Sequence, residues 1–568
     1  MKIWISRLVF LLLLCGCLVW LLPALLVHVL NYEDVIGRAL ATLHRPDLEI
    51  ALRTRFFTPA KFAQLRLLLP VMAVVGLASA VLVWYKRKSM QQSVSGYLDW
   101  WQLVWQNILA TWRSTSRPTQ VFFLLLLIAV AIRSFYYAST WDVQYDEAWN
   151  YNYFLGQQWW YSLVAYNNYP LHNLVAWPSV HLLPAFPNLA MRLPGILAGL
   201  ISCFGVFALA QRLWRNEYIS LLCSAVFACL PVSVFYMLYA RGVMFEILFV
   251  LPITYLIIRA MQQPMQGYTR FSFVWLQALG TFSMLSHPYF MFFSGLGLVG
   301  SQLKPGGRWW QYSLLLVASV LASLVLLLPV MMGTGLGLGI QVATGQLQIN
   351  PSLLLHKFED NSLFISGWRY SFYLFALVNL LLLLFRNTTS RATALLNLCL
   401  LTCPLLIPVL THTIPPERAL GFLVIVPVLT TGLVLFHLPA LPRYGYATLT
   451  LGLAALLSWS SHTHKFLNWS RKKDKAAKTT AHLLMQQNVH SLYNDCEKMS
   501  YYLPAIDYYY QTNGQRISFY SSDPVSTRYT PASEAHRFDV MATCCPDSTV
   551  TPPNLLTRFY GVCLIRPH

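Results

Sequence analysis

Three acidic residues lie close together in one short segment, Trp141-Asp142-Val143-Gln144-Tyr145-Asp146-Glu147-Ala148-Trp149. The chain has only 21 Asp and Glu in 568 residues, so three carboxylates in this segment are unlike the rest of the sequence. A carboxylate in a poorly hydrated cleft can take a proton from an acceptor hydroxyl or amine. Asp146 is therefore a candidate general base, and a solvated loop or a helix N-cap at Asp146 is the alternative interpretation.

Two arginines, Arg241 and Arg418, stand at the mouths of apolar segments. A guanidinium can hold a phosphate through two parallel hydrogen bonds and stabilise the charge that develops on it as it leaves. Arg192 and Arg369 are weaker candidates of the same kind. For each arginine alone, contact with lipid headgroups is the alternative.

Three histidines, His172, His181 and His287, accompany these groups without the HExxH spacing of a zinc site. Hydrogen-bonded histidines are the simpler interpretation, and no metal ligand is predicted. The sequence has no Walker A motif, no Rossmann glycine fingerprint and no GxSxG motif.

The elements that must position these residues are membrane helices. The chain is 56% hydrophobic and 11% charged, with a mean hydropathy of +0.50, whereas soluble domains carry about 25% charged residues. Apolar blocks of the length that crosses a bilayer predict about thirteen spans, near 8–30, 67–85, 121–140, 193–212, 218–238, 243–261, 272–286, 288–303, 311–331, 370–385, 392–411, 419–438 and 444–461.

The net charge of +19 comes mostly from short Lys and Arg clusters between the apolar blocks. This pattern is typical of loops retained in the cytoplasm, and it does not favour nucleic-acid binding. The opposite, extracytoplasmic side then receives the loop 141–192, the turn 239–242, the loop 332–369, the turn 412–418 and the tail. We expect a multi-pass protein of the cell inner (plasma) membrane, although the basic segment 31–66 does not fit this alternation.

The tail 462–568 is polar and contains alternating stretches, so it is predicted to be a small extracytoplasmic α/β domain. It holds Cys496, Cys544, Cys545 and Cys563, and an even number of cysteines in an oxidising compartment suggests disulfides of unassigned pairing. The predicted organisation is therefore a two-span extension 1–119, a transmembrane catalytic domain 120–461 and the soluble domain 462–568.

Several stretches together resemble the GT-C glycosyltransferases, in particular the protein O-mannosyltransferases and lipid A aminoarabinose transferases. They are Tyr145-Asp146-Glu147-Ala148-Trp149, Asn168-Tyr169-Pro170-Leu171-His172-Asn173-Leu174, Met191-Arg192-Leu193-Pro194-Gly195, Tyr239-Ala240-Arg241-Gly242 and Pro416-Glu417-Arg418-Ala419-Leu420. Their order and spacing match over about 120–440. The sequence departs from the family at His172, Val243 and Ala419, where Tyr is common.

The resemblance implies an all-α GT-C transmembrane domain and transfer of a sugar from a polyprenyl-phosphate donor to an extracytoplasmic lipid, glycan or protein. It implies Asp146 as the base, Glu147 as a supporting carboxylate, and Arg241 and Arg418 as ligands of the donor phosphate. Weaker substrate contacts are expected from Tyr145, Tyr169, His172, Arg192 and Tyr239. A single displacement would invert the anomeric centre, unlike the retaining scheme with two carboxylates. The donor bond supplies the energy, so no ATP site is needed. No cofactor is assigned, and dependence on a divalent cation is left open by the Asp-Glu pair.

Two other functions are weighed against this one. A transporter or flippase of a lipid-linked substrate would carry charged or Gly/Pro-broken positions in mid-span, whereas the notable charges here lie at span ends. A catalytically inactive scaffold of envelope assembly is the third interpretation, and the intact Asp146 with both arginines argues against it.

Overall fold

The protein is described from a computed structural model. The described residues are 21–43, 58–85, 112–156, 158–159, 161–164, 169–303, 307–334, 351–411, 415–438, 461–496, 502–521, 538–544, 554–559 and 562–566, with the single residues 53, 88, 102, 106, 110 and 499.

The N-terminal part contributes three described helices, Leu21–Val29, Tyr32–Leu43 and Pro59–Tyr85. Ala24 of the first helix belongs to a small apolar cluster with Phe62, Leu69 and Ala73 of the third helix. The boundary predicted at residue 119 remains a prediction.

Helices long and apolar enough to cross a membrane form the body of the protein. Within the described residues five helices qualify: Arg117–Thr140, Pro187–Trp214, Val243–Gln262, Trp309–Leu327 and Ala419–His437. Three bent pairs raise the number to eight if each pair is one span: Glu217–Cys229 with Pro231–Leu238, Pro351–Ser366 with Ser371–Leu382, and Thr388–Leu401 with Cys403–Thr411.

The outward faces of these helices are apolar. On Arg117–Thr140, for example, Leu125 is 55% exposed and Ile132 is 66% exposed. A continuous apolar surface of this kind is stable in lipid rather than in water, so the protein is a multi-pass membrane protein. The expected α-helical fold class is confirmed, but the count of thirteen spans is not.

The differences in span number have local causes. The expected pair 272–286 and 288–303 consists of the shorter helices Gly267–Ser283 and His287–Gly300, which have 17 and 14 residues. The expected span 444–461 lies almost entirely outside the described residues, as does most of 8–30.

Bends occur where the backbone cannot continue a helix. The pair Glu217–Cys229 and Pro231–Leu238 bends by 61°, because Leu230, which precedes a proline, has an extended ψ of 136°. The pair Pro351–Ser366 and Ser371–Leu382 bends by 88° just after Gly367, whose φ of +80° is in the left-handed region. The predicted loop 332–369 therefore contains a helix.

The C-terminal part begins with the helix Ser461–Gln486 and continues as a five-stranded sheet beside the helix Leu503–Thr512. The strands are β1 (Ser491–Asp495), β2 (Ser518–Ser521), β3 (Val540–Cys544), β4 (Leu555–Phe559) and β5 (Val562–Ile565), in the order β2-β1-β3-β5-β4. β1 is parallel to β2 and β3, whereas β5 is antiparallel to β3 and β4. The predicted small C-terminal sheet domain is confirmed.

Disulfide chemistry was expected among the cysteines of this domain. Cys496 and Cys544 form a disulfide with their Cα atoms 4.8 Å apart, and Cys563 is also disulfide-bonded. Cys545 lies outside the described residues.

Candidate active site

The acidic segment forms a short helix, Tyr145–Asn150, just beyond the end of Arg117–Thr140. Gln144 is its N-cap residue, and the backbone N–H of Gln144 donates to Glu147 Oε2 at 3.2 Å, closing a capping box. Successive residues on a helix point about 100° apart. Asp146 and Glu147 therefore meet different partners.

Asp146 forms an ion pair with Arg241. The aspartate side chain is 29% exposed and the arginine side chain is 5% exposed, so the pair lies where a partly open site meets the protein interior. A guanidinium at this position stabilises the charged form of the carboxylate. The structure thus brings together the predicted base and one predicted phosphate ligand.

The turn 239–242 holds Arg241 in place between Pro231–Leu238 and Val243–Gln262. The backbone N–H of Arg241 donates to the carbonyl oxygen of Tyr239 at 2.7 Å, and its guanidinium lies 4.6 Å from the centre of the Tyr239 ring. The Tyr239 ring in turn stacks on Phe235. Burial raises the pKa of Tyr239 well above its ordinary value, so this phenol is a neutral hydrogen-bonding group.

Gly242 is required by the close approach of its neighbours. A Cβ at this position would overlap the carbonyl oxygen of Ser283 and would lie 2.6 Å from Tyr169 Cβ. The glycine thus permits contact between the arginine turn, the end of Gly267–Ser283 and the residue that precedes the helix Pro170–Leu182.

Glu147 is fully buried and accepts four hydrogen bonds. Arg192 donates to it twice, Nε to Oε1 at 2.9 Å and Nη2 to Oε2 at 2.6 Å. The backbone N–H groups of Ala240 and Gln144 complete the set at 2.8 Å and 3.2 Å. Glu147 therefore ties the acidic helix directly to the turn that carries Arg241.

Arg192 uses all five of its N–H groups inside the protein. Besides Glu147, it donates to the carbonyl oxygens of Ala138, Trp141 and Asp142, each at 3.0 Å. The substrate contact expected from Arg192 would need a donor that is not engaged, so this geometry favours a positioning role instead.

The remaining weak candidates lie around the same turn. Tyr145 is 38% exposed at the start of the acidic helix, and Tyr169 is buried against Gly242. His172 is fully buried, with its ring against Tyr169 and Phe245. Burial lowers the pKa of His172 to about 3, so its imidazole is neutral at physiological pH.

Arg418 belongs to the 3₁₀ helix Glu417–Val424, but its side chain lies outside the described residues. The backbone of this helix approaches the arginine turn, since a Cβ at Gly421 would lie 2.6 Å from Val243 Cγ1. Arg369 is elsewhere: it is 44% exposed and lies 3.9 Å from Glu359 and Asp360.

The C-terminal domain packs against the acidic segment. The N–H of Val143 donates to the Tyr509 hydroxyl at 3.2 Å, the Tyr508 hydroxyl donates to Asn188 Oδ1, and Lys478 pairs with Asp142 at 2.9 Å. Burial raises the pKa of both tyrosines, which keeps them neutral. No pattern in the sequence indicated this contact.

Sequence reasoning also missed a buried polar network inside the membrane domain. His287 lies 3.2 Å from Glu246 Oε1 through Nδ1 and 2.9 Å from Gln277 Oε1 through Nε2. The interpretation of His287 as a hydrogen-bonded histidine agrees with these contacts, but Glu246 was not singled out. Its signal was present, because an acidic residue inside an apolar span is rare.

A metal site would require several His, Cys, Asp or Glu side chains close together. Within the described parts of the chain, no three of them are grouped so that they could hold an ion.

Comparisons with known proteins place this arrangement in a fold. No protein-family model and no curated protein sequence matches the chain. Among solved structures, ArnT from Cupriavidus metallidurans bound to undecaprenyl phosphate matches at a TM-score of 0.54 and 10% identity, covering 80% of this chain and 99% of ArnT.

The apo structure of the same ArnT gives a TM-score of 0.54 at 11% identity, covering 78% of this chain and 98% of ArnT. The oligosaccharyltransferase AglB from Archaeoglobus fulgidus matches at a TM-score of 0.42 and 11% identity, covering 71% and 65%, which is too distant to support an argument. The ArnT likeness spans nearly the whole of that protein, and the chain therefore has the same overall fold as ArnT.

Proposed function

We propose that this protein is a membrane glycosyltransferase that moves a sugar from a polyprenyl-phosphate donor to an acceptor on the extracytoplasmic face of the inner (plasma) membrane. The observation that carries the proposal is the Asp146–Arg241 ion pair beside the first turn of a membrane helix. It combines a proton acceptor with a phosphate ligand where a lipid phosphate would lie. ArnT, with the same fold, was solved with undecaprenyl phosphate bound, which supports the donor class.

Each charged residue has a distinct role in this proposal. Arg241, with Arg418, holds the donor phosphate, and Asp146 is the base. Glu147 and Arg192 position the acidic helix against the arginine turn, because their hydrogen bonds are all internal. Tyr145, Tyr169, His172 and Tyr239 are proposed to line the space for the substrates.

The reaction is a single displacement. When the donor binds, its phosphate replaces Asp146 as the ion-pair partner of Arg241. The Asp146 carboxylate can then accept a proton from the acceptor hydroxyl or amine. The acceptor atom attacks the anomeric carbon as the bond from that carbon to the phosphate oxygen breaks. The electron pair stays on the polyprenyl phosphate, where the arginines stabilise it, and the anomeric centre is inverted.

A second candidate is a transporter or flippase of a lipid-linked substrate. Its one supporting observation is the buried Glu246–His287–Gln277 network, because buried ionisable groups in apolar helices often mark transport paths. Glu246 and His287 lie in the first turns of their helices, whereas transport sites usually lie in mid-span.

The test is mass spectrometry of envelope glycans, lipids and proteins from cells lacking the gene and complemented with wild type, Asp146→Ala or Asp142→Ala. Asp142 is the matched control, since its side chain lies in the same segment but pairs with Lys478. The transferase is supported if the deletion removes the mass of one sugar, wild type and Asp142→Ala restore it, and Asp146→Ala does not. If Asp146→Ala also restored the sugar mass, the assignment of Asp146 as the base would be rejected and the transporter would be favoured.

A further inference from the structure

Four buried polar atoms near the candidate active site have no hydrogen-bond partner among the described residues. They are Asn150 Oδ1, Asn173 Nδ2 and both ring nitrogens of His172. The three side chains are completely buried. The large majority of buried polar side-chain atoms in proteins are hydrogen-bonded, so this group requires an explanation.

These atoms belong to segments that meet at the Asp146–Arg241 pair. Asn150 lies four residues after Asp146 on the acidic helix, and therefore on the same face. Its Nδ2 donates to Asn173 Oδ1 at 2.8 Å. The two amides thus fix each other and leave one carbonyl oxygen and one NH₂ group for another partner. If oxygen and nitrogen are exchanged in both amides, one carbonyl oxygen and one NH₂ group still remain for that partner.

His172 connects the cluster to the arginine turn. Its ring centre lies 5.9 Å from that of Phe245 and 6.1 Å from that of Tyr169, the residue whose Cβ faces Gly242. Since the pKa of His172 is lowered to about 3 by burial, the ring offers one N–H donor and one nitrogen acceptor.

The chemistry of the partner follows from this set of atoms. The cluster offers acceptors, the amide oxygen and one imidazole nitrogen, and donors, the amide NH₂ and the imidazole N–H. A phosphate only accepts hydrogen bonds and an ammonium only donates them, so each would leave part of the cluster unpaired. Hydroxyl groups, amides and water do both. Of these, the proposed donor brings hydroxyl groups, and carbohydrates carry several of them side by side.

We propose that Asn150, His172 and Asn173 form a subsite that hydrogen-bonds hydroxyl groups of the transferred sugar. The proposal rests on the proposed function and extends it: the arginines recognise the phosphate of the donor, and this neutral cluster recognises its sugar. The preferred sugar is accordingly an uncharged, hydroxyl-rich one.

The test separates the two parts of the donor. The purified full-length protein is titrated with undecaprenyl phosphate, undecaprenyl-phosphate mannose and undecaprenyl-phosphate glucose. Wild type is expected to bind at least one sugar-bearing lipid more tightly than undecaprenyl phosphate. His172→Phe keeps the ring packing and removes the hydrogen bonds, so the affinity for that donor should fall about 3- to 10-fold, with undecaprenyl phosphate binding unchanged.

Asn173→Ala is the second variant, and it should have the same selective effect. His181→Phe is the control, since His181 lies on the same helix but is exposed and stacks on Trp177. Unchanged binding of undecaprenyl phosphate also shows that a variant is folded.

The outcomes are distinguishable. Three outcomes would overturn the sugar subsite alone. Wild type could bind all three lipids with equal affinity. The variants could lose the same affinity for undecaprenyl phosphate as for the sugar-bearing lipids, or lose no affinity for either. Failure of wild type to bind any of the three lipids would overturn the proposed function itself.

Discussion

Arg192 donates two hydrogen bonds to Glu147, Nε to Oε1 at 2.9 Å and Nη2 to Oε2 at 2.6 Å, in a pair that is 1% and 0% exposed. Asp146, the next residue in the helix, is instead paired with Arg241 and is 29% exposed. The adjacent carboxylates therefore serve different purposes. Glu147 fixes the acidic helix in place, and Asp146 remains accessible.

The Glu147–Arg192 pair should be essential for stability, because removing one partner leaves a buried charge without compensation. We expect Glu147→Ala and Arg192→Ala each to destabilise the protein by about 3–5 kcal/mol. The double variant should lose less than the sum of the single losses, because it leaves no isolated charge. Unfolding midpoints of the detergent-solubilised protein measure both effects, and additive losses would contradict the coupling.

Gly242→Ala should damage the site through the backbone. The new Cβ would meet the carbonyl oxygen of Ser283, which cannot rotate away as a side chain could. We expect a cost of about 1–3 kcal/mol, as for overpacking, together with weaker binding of undecaprenyl phosphate as Arg241 is displaced.

Gly267→Ala is the matched control for this change. No heavy atom lies within 4 Å of the Cβ it would introduce, and an alanine in the helix Gly267–Ser283 restricts the unfolded chain. Its unfolding midpoint should be equal to or higher than that of wild type. If both variants behave alike, the close approach at Gly242 does not matter for the site.

The sequence predicted the membrane class and the α-helical fold, because these depend on apolar block length. It placed Asp146 and Arg241 on the same side of the membrane, but it did not predict that they would form an ion pair. It did not predict that Arg192 would be used entirely within the protein. Arginine at a span end is compatible with a lipid, a substrate or a buried carboxylate, and only the tertiary structure distinguishes them.

The count of thirteen spans is not confirmed for a related reason. Apolar length alone cannot separate a straight span from one broken at a proline, as at Leu230-Pro231, or at a left-handed glycine, as at Gly367. Contacts between Tyr509 and Val143 join distant parts of the chain, and a single sequence contains no local signal for them.

His172 should make the protein sensitive to acid. Its pKa is near 6.5 in the unfolded chain and about 3 in the folded protein, so the unfolded state binds a proton first as the pH falls. The stabilising effect of the neutral ring is present above pH 6.5 and is lost progressively from pH 6.5 toward pH 3. At pH 5 the loss should be about 2 kcal/mol.

Unfolding midpoints at about pH 7 and 5 measure this effect. His172→Phe should show a smaller drop than wild type, and His181→Phe, changed at the exposed histidine of the same helix, should show the drop of wild type. An equal drop in wild type and His172→Phe would reject the assignment.

The C-terminal domain should contribute to transfer by holding the acidic segment. Tyr509→Phe removes the acceptor for the N–H of Val143, and Tyr508→Phe removes the donor to Asn188. Each change should lower kcat about 2- to 10-fold, the equivalent of one hydrogen bond. Tyr509→Phe loosens the acidic segment directly, and Tyr508→Phe loosens the start of Pro187–Trp214, the helix whose Arg192 holds Glu147. Tyr510→Phe is the control, since the Tyr510 hydroxyl donates at 2.9 Å to Val489 within the C-terminal domain. This third variant should lower the unfolding midpoint by a similar amount without lowering kcat, and a parallel loss of kcat in all three variants would show that the domain acts through stability alone.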